Sequence, residues 1–375
     1  MKIGIISDNP NINSGYGEAG KNLAYQLSKH GHEIFFIGLQ HRGTPVAVQV
    51  KDQWFRMHSG FVYYNGNSQT INKAVEIEKP EMLITTRDIV TFMPEGFQQA
   101  FKLNHLKGKV KLVSWVPIME PYIMPTIKKV LLENSDFVVT YTDAARQFLM
   151  NEGVPYNIMD YINIGYDEAV YKKEKPLIEL PSSLEGKKIF GFVGLLNDKR
   201  KMLGSLLKAF AYYTRESDDA VLYIHNNMQN GYNLLQTAEF LGIRGRILFP
   251  MHNNVLDWQP EYYYSDEDMA RLFSSFHATV SMSAQEGFNM PFLESLACKT
   301  PVLGVQSPFY DWSDQIVQVP SQETELPTGY GYTSDPYMFA TYMHKIADKN
   351  VHLKSIEHLK WSSIGDKWAK LVEGI

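Results

Sequence analysis

Short apolar runs alternate with amphipathic stretches along most of the chain. In the first half, the runs KIGIIS and EIFFIG flank the stretch GEAGKNLAYQLSKHG, whose apolar residues recur every three or four positions. Runs rich in β-branched residues predict buried strands, and the three-to-four period predicts a helix between them. This alternation predicts parallel βαβ units and therefore an α/β fold with a doubly wound sheet.

The alternation starts twice. A charged, proline-containing segment at residues 167–187 interrupts it, and it restarts with KIFGFVGLL. We therefore predict a first doubly wound domain at residues 1–166, a linker at 167–187 and a second doubly wound domain at 188–350. Ligands of such sheets bind at the carboxyl ends of the strands, so we expect the active site in a cleft between the domains.

Composition narrows the range of partners. The formal net charge is -5, from 36 basic and 41 acidic residues, so the chain as a whole does not attract nucleic acid. Any anion must bind to a local cluster. Cys298 is the only cysteine, and its apolar neighbours predict a buried thiol. No run reaches the length of a membrane-spanning helix, so we expect a cytoplasmic protein, with peripheral membrane contact left open.

The first motif, SGYGEAG, contains Gly15-x-Gly17-x-x-Gly20, the spacing of a dinucleotide-binding turn. The segment DNPNINS separates it from its strand, and the next strand ends near Gln40 without the carboxylate that binds a ribose. Both observations disfavour a nicotinamide site. A glycine loop that enters a helix at Glu18 would still present N–H groups to a phosphate or a sugar. The alternative is a turn that only starts the helix.

The second motif is the basic loop Lys199-Arg200-Lys201, which follows the strand KIFGFV and precedes a predicted helix. Cations at a helix start oppose the helix dipole, so helix stability does not explain them. They suit a diphosphate, which Arg200 would grip with two hydrogen bonds and Lys201 would meet as a point charge. The alternative is a solvated basic turn.

The third motif, EGFNMPFLE, places Glu286 before a helix start and Glu294 about one turn inside the helix. Asn289 or Met290 is expected to cap this helix, and Pro291 suits its first turn. A helix start attracts phosphate, and flanking carboxylates bind sugar hydroxyls. Acidic residues 266–268 also match a metal-binding pattern, but they follow Ser265 at a predicted helix start, where capping explains them better.

Together, these motifs resemble the retaining, nucleotide-sugar-dependent glycosyltransferases of the GT-B fold, the group 1 family. The resemblance spans nearly the whole chain and is most specific in SAQEGFNMPFLESLACKTPVL, where Glu286 and Glu294 form the family's EX7E motif. It implies two Rossmann-like doubly wound domains that face each other across a cleft, with the acceptor side on the first and the donor side on the second. It also implies that the C-terminal helix, at residues 351–375, crosses back onto the first domain.

The resemblance further implies roles for single residues in a hexosyl transfer that retains configuration. Glu286 would contact the donor sugar, Glu294 the ribose, and Arg200 and Lys201 the leaving diphosphate. The remaining donor-binding positions would be Gly15, Tyr16, Gly17, Gly287, Phe288, Asn289 and Met290. It implies a nucleoside-diphosphate sugar as donor, no metal or other cofactor, and a glycan, lipid or protein acceptor that the sequence does not identify.

The chain departs from the family pattern at several positions. Leu195 stands where many members have an arginine, and no histidine occurs between residues 110 and 127, where Glu120 is the nearest acid. Lys299 follows Cys298 where a glycine commonly ends the helix. On the base or acceptor side, the candidates are Glu120, His225, His252 and Asn253. The missing arginine and histidine keep open a nucleotide-sugar-binding protein with little or no activity. A second alternative is a GT-B-fold sugar-nucleotide epimerase, which would share the cleft.

Overall fold

The computed structural model describes residues 1–12, 14–60, 69–89, 102–194, 199–225, 234–249, 264–327, 329–348 and 351–375. The chain forms two compact units. The first comprises Met1–Gly165 together with Glu357–Ile375, and the second comprises Tyr166–Ile356. Among the helices in these ranges, none combines the length and the apolar character that a membrane crossing requires.

The first unit is a doubly wound sheet. Its elements are β1 (Lys2–Ser7), α1 (Gly15–Lys29), β2 (Glu33–Gly38), β3 (Val46–Val50), β4 (Gln53–Ser59), α2 (Gln69–Glu78), β5 (Met82–Thr86), β6 (Lys111–Val116), α3 (Pro125–Glu133), β7 (Phe137–Thr140), α4 (Asp143–Asn151) and β8 (Met159–Tyr161). The eight strands lie in the order β3-β4-β2-β1-β5-β6-β7-β8. All neighbours are parallel except β3 and β4, which form an antiparallel hairpin at one edge.

The second unit is a smaller doubly wound sheet with an added hairpin. Its elements are β9 (Lys188–Val193), α5 (Leu203–Glu216), β10 (Ala220–His225), α6 (Leu234–Phe240), β11 (Ile247–Leu248), α7 (Asp266–Ser275), β12 (Ala278–Ser281), α8 (Met290–Ala297), β13 (Val302–Val305), β14 (Ile316–Val319), β15 (Gln322–Leu326), β16 (Gly329–Thr333) and α9 (Pro336–Ala347). Six parallel strands lie in the order β11-β10-β9-β12-β13-β14. The two sheets confirm the α/β prediction.

The last helix, α10 (Trp361–Gly374), belongs to the first unit. Trp361 and Trp368 are buried, and their rings lie 6.2 and 5.2 Å from the ring of Trp115 on β6. The helix also packs closely on α1, since a Cβ atom at Gly365 would lie 2.6 Å from the Gln26 Cβ. Burial of two tryptophans stabilises this docking, because each large ring buries about 150–250 Å².

The segment at residues 167–187, which the sequence suggested as a linker, packs on the second unit. Val170, Tyr171, Leu177 and Ile178 lie against the apolar cluster around Phe273. The Leu177 N–H also donates to the Ser275 Oγ at 2.7 Å. The charged residues that suggested a linker alternate with apolar ones, and the apolar ones are the residues that pack.

The sequence analysis predicted no strand over residues 40–60. The hairpin of β3 and β4 occupies most of this segment, with Val48, Val50 and Phe55 buried. Its two-residue turn places Lys51 at φ 54°, a left-handed conformation. The signal was present in the alternation of VAVQV and QWFRM, which is the period-two pattern of a half-buried strand.

Helix α8 ends in a left-handed turn that has a lysine where glycine is preferred. Lys299 has φ 59°, and the Thr300 N–H donates to the Ser295 carbonyl at 2.9 Å. Cys298, just before it, is a buried free thiol, as predicted. A side chain in the left-handed region costs about 1 kcal/mol relative to glycine.

Lys299→Gly should therefore raise the free energy of unfolding by about 1 kcal/mol, because glycine adopts the left-handed conformation without strain. Lys299→Ala is the matched control: it removes the same exposed side chain but keeps the strain, and it should give no gain. Urea unfolding of the three proteins checks this, and equal stabilisation by both variants would contradict it.

Candidate functional site

Glu286 lies in the loop that leads from β12 into α8, at the carboxyl end of the second sheet. Its side chain is buried, with 8% of the residue exposed. Glu294 lies one helical turn inside α8 and is partly buried. Both positions agree with the sequence analysis.

Two cations meet the Glu286 carboxylate. The Arg200 Nη1 donates to Glu286 Oε2 at 3.1 Å, and the Lys201 Nζ donates to Glu286 Oε1. Both cations come from a short 3-10 turn, Lys199–Lys201, that precedes α5. The three residues predicted to be catalytic therefore form one contact group, which we call the Glu286 cluster.

The electrostatics of the Glu286 cluster leave a net positive charge. Burial alone would raise the pKa of the Glu286 carboxyl, but the charges of Lys201 and Arg200 lower the pKa more, and the net shift is downward. Glu286 is therefore ionised at neutral pH, and its one charge faces two cations. The remaining positive charge is partly removed from solvent, where its attraction for an anion is stronger than in water.

The backbone around the Glu286 cluster is fixed by the hairpin of β15 and β16. The Gln285 Nε2 donates to the Tyr330 carbonyl at 2.8 Å, and the Ala284 N–H donates to the Arg200 carbonyl at 2.8 Å. A Cβ atom at Gly331 would lie 2.5 Å from the Ala284 carbonyl oxygen, so this position requires glycine. The sequence analysis missed this support, because a short polar hairpin carries no chemical signature.

The turn into α8 is held by aromatic side chains. Asn289 is the residue before the helix, as predicted, but it has φ 67° and its side chain does not cap the helix. Its Nδ2 instead donates to the Tyr310 hydroxyl at 3.0 Å. The Phe288 ring stacks on Trp312 at 4.7 Å, and the Trp312 Nε1 donates to the Phe288 carbonyl at 3.0 Å. The sequence analysis missed Tyr310 and Trp312, since buried aromatics also fill ordinary cores.

The start of α8 presents a row of N–H groups. In the part of the chain that the structure describes, the backbone N–H groups of residues 287–290 donate no hydrogen bond. Pro291 follows and has no N–H group to satisfy. Unpaired N–H groups at a helix start carry a partial positive charge, so they add to the charge of the Glu286 cluster.

His225 ends β10, and its ring lies 4.8 Å from the ring of Tyr264. Burial lowers the pKa of His225 to about 4, so the imidazole is neutral at pH 7. It is therefore suited to hydrogen bonding or stacking and does not supply a positive charge. Two further candidates, His252 and Asn253, lie outside the described residues, and so does Leu195, the position of the missing arginine.

In the first unit, helix α1 starts at Gly15, so the expected start at Glu18 was wrong. Ser14 caps the helix, since its Oγ accepts the Gly17 N–H at 3.1 Å. Gly15, Tyr16 and Gly17 thus form the first helical turn. Burial raises the pKa of Tyr16 well above its ordinary value, and the Asp88 carboxylate raises it further, so the phenol stays protonated.

Glu120 lies in the loop between β6 and α3 of the first unit and is partly buried. Glu120 and the α1 turn belong to the first unit, and the Glu286 cluster belongs to the second. Residues 266–268 start α7, where the Ser265 Oγ accepts the Asp268 N–H at 3.1 Å, as the capping interpretation expects. Within the described ranges, no three His, Cys, Asp or Glu side chains are grouped to hold a metal ion.

Comparison with known proteins identifies the domain that contains the Glu286 cluster. Residues 178–311 match the family described as Glycosyl transferases group 1. The second unit carries a group 1 glycosyl transferase domain. A protein described as N-acetyl-alpha-D-glucosaminyl L-malate synthase, from Bacillus anthracis, is 24% identical to the chain over 326 residues, which is 82% of this chain and 79% of the relative.

Solved structures establish the fold of the whole chain. The sucrose-phosphate synthase of Thermosynechococcus elongatus superposes with a TM-score of 0.75 at 14% identity, covering 100% of this chain and 98% of that one. Anabaena HepE in complex with UDP and glucose superposes with a TM-score of 0.66 at 12% identity, covering 100% of both chains. The chain therefore has the GT-B fold, with two Rossmann-like units.

The neutral state of His225 predicts a pH effect on stability. The folded pKa of about 4 lies below the ordinary 6.5, so the unfolded chain binds the proton first as the pH falls. Stability should therefore fall between pH 6.5 and 4, by about 2–3 kcal/mol from this residue. In His225→Gln that loss should be absent, whereas the exposed control His352→Gln should behave as wild type. Urea unfolding from pH 4 to 7 measures the slopes, and equal slopes in wild type and His225→Gln would contradict the assignment.

Proposed function

We propose that this protein transfers a sugar from a nucleoside-diphosphate sugar to an acceptor, with retention of the anomeric configuration. The observation that carries the proposal is the Glu286 cluster, a buried carboxylate between Arg200 and Lys201 beside the unpaired N–H groups of residues 287–290. A nucleotide sugar presents the matching chemistry, a diphosphate dianion next to a set of hydroxyls.

The proposed roles divide the Glu286 cluster by charge. Arg200, Lys201 and the α8 N–H groups bind the diphosphate and stabilise the charge that develops on it when the sugar leaves. Glu286 accepts hydrogen bonds from the donor sugar and holds both cations in place. Glu294, one turn further along α8, binds the ribose hydroxyls. Gly15, Tyr16 and Gly17 of the first unit are also proposed to bind the donor.

The proposed reaction proceeds on one face of the sugar. The bond between the anomeric carbon and the β-phosphate oxygen breaks, and its electron pair stays on that oxygen. The acceptor oxygen then bonds to the anomeric carbon from the same face, and its proton passes to the leaving phosphate oxygen. Ion pairing at the diphosphate supplies the largest share of the rate enhancement, because most of the developing negative charge lies there.

The comparisons support a first choice of donor. Anabaena HepE was solved with UDP and with UDP-glucose, and the Bacillus anthracis relative is named for an alpha-linked N-acetylglucosaminyl product. We therefore propose a UDP-sugar as the donor to test first. A thermal-shift panel of nucleoside diphosphates and their sugars identifies the base, because a ligand that binds only the folded state raises the apparent stability.

Arg200→Ala and Glu286→Ala should each lower donor turnover by about a hundredfold or more, because each breaks the charge arrangement at the diphosphate. Arg271→Ala is the matched control, since Arg271 pairs with Asp268 on α7 of the same unit and should leave turnover unchanged. The measurement is release of nucleoside diphosphate, with circular dichroism as a check of folding. Near-normal turnover by either site variant would refute the assigned roles.

The same assay separates the proposal from its alternatives. Release of nucleoside diphosphate that depends on an acceptor indicates transfer, and the product's anomeric configuration by NMR tests retention. Conversion of one donor sugar into its epimer without release would indicate an epimerase. Tight donor binding without turnover would indicate a binding protein.

A further inference from the structure

Asp8 is a buried carboxylate at the carboxyl end of β1, and none of the motifs in the sequence includes it. Only 5% of the residue is exposed. Its Oδ2 accepts the Ser14 hydroxyl at 2.7 Å. Its Oδ1 accepts the Gln40 Nε2 at 2.5 Å and also accepts from the Arg87 guanidinium. Both carboxylate oxygens therefore have partners.

The three partners of Asp8 come from three different places in the first unit. Ser14 caps α1, and its Oγ accepts the Gly17 N–H at 3.1 Å. Gln40 follows β2, and its Oε1 accepts the Asn9 N–H at 2.8 Å. Arg87 follows β5, and its guanidinium lies 5.0 Å above the Tyr16 ring. One carboxylate thus links the ends of β1, β2 and β5 to the first turn of α1, which we call the Asp8 brace.

Starting a helix does not require such a brace. Helix α4 starts at a Thr142 hydroxyl that accepts the Ala145 N–H at 3.2 Å, and α7 starts at Ser265 in the same way. Among the described residues, neither of these cap hydroxyls donates to a carboxylate. The Asp8 brace also carries the desolvation cost of a buried ion pair, which generally adds little net stability. Its effect is to fix geometry.

The turn that the Asp8 brace holds has no room for a side chain at Gly17. A Cβ atom at Gly17 would lie 2.8 Å from the Ile12 carbonyl oxygen and 3.2 Å from the Ser14 Oγ. Ser14 therefore packs directly against the Gly17 backbone, and no atom would fit between them. The Ser14 hydroxyl thus contacts the Gly17 backbone, and the Arg87 guanidinium contacts the ring of Tyr16.

We propose that Asp8 is a positioning residue that acts through Ser14 and Arg87 to fix Gly15, Tyr16 and Gly17 in the geometry that binds the donor diphosphate. The proposal rests on the proposed function, in which this turn contacts the donor. Asp8 itself touches no substrate. Its loss should weaken donor binding and leave the chemistry at the Glu286 cluster largely intact.

The test has one readout that depends on activity and one that does not. In Asp8→Asn, the KM for the donor should rise by about tenfold or more while kcat stays within about threefold, because the turn is misplaced. Amide hydrogen exchange of residues 14–20 should be about tenfold faster, with no ligand needed. Ser14→Ala, which removes the hydroxyl that joins Asp8 to Gly17, should reproduce both effects, and Ser14→Thr should behave as wild type.

Two comparisons distinguish positioning from general destabilisation. The double variant Asp8→Asn with Ser14→Ala should show no higher donor KM than Asp8→Asn alone, since both act along one chain of contacts. Asp136→Asn is the control: its carboxylate accepts the Leu112 N–H at 2.9 Å in the same unit, away from α1. It should leave both the donor KM and the exchange of residues 14–20 unchanged.

Unchanged exchange and donor KM in Asp8→Asn would overturn the proposal, and so would an equal rise in KM in Asp136→Asn. If the wild-type protein turned over no donor, the proposed function would fail. The exchange readout would then still decide whether Asp8 fixes the turn, so the two failures are distinguishable.

Discussion

The ion pairing of one buried carboxylate, that of Glu286, determines how the rest of the second-unit site is arranged. Removing a carboxylate from water costs several kcal/mol unless cations replace the lost solvation. Arg200 and Lys201 do so here, and their contacts bring the 3-10 turn before α5 to the loop before α8. The Phe288 ring, stacked on Trp312, holds that loop from one side. The hairpin of β15 and β16, which includes Gly331, also packs on it. What results is a site with excess positive charge whose loops are held by specific contacts.

The first unit uses the same physical device at the equivalent end of its own sheet. Asp8 follows β1 as a buried carboxylate, and its partners fix a glycine-containing helix start. In both units, polar residues follow the parallel strands at the carboxyl edge of the sheet. A buried carboxylate there contacts several loops and fixes their arrangement. Loops alone are the most variable parts of such a fold, so a preorganised site needs fixed points of this kind.

Much of this could be predicted from the sequence, because the signals were local. The alternation of strands and helices gave the fold class, and the Glu286 to Glu294 spacing placed one carboxylate before α8 and one inside it. The contact between Glu286 and Lys201 was not predictable, since both were assigned to the donor and no local pattern pairs residues from different loops. Asp8 was missed because a single acid after a strand has many explanations. The β3–β4 hairpin was missed although its period-two alternation was readable.

The central claim is that the Glu286 cluster and the start of α8 form the site for a nucleotide diphosphate. A crystal structure with uridine diphosphate bound tests this most directly. The account predicts phosphate oxygens within hydrogen-bond distance, about 2.7–3.2 Å, of Arg200, Lys201 and at least one N–H group of residues 287–290. A diphosphate bound elsewhere, with Arg200 and Lys201 contacting only Glu286 and Gln285, would contradict it.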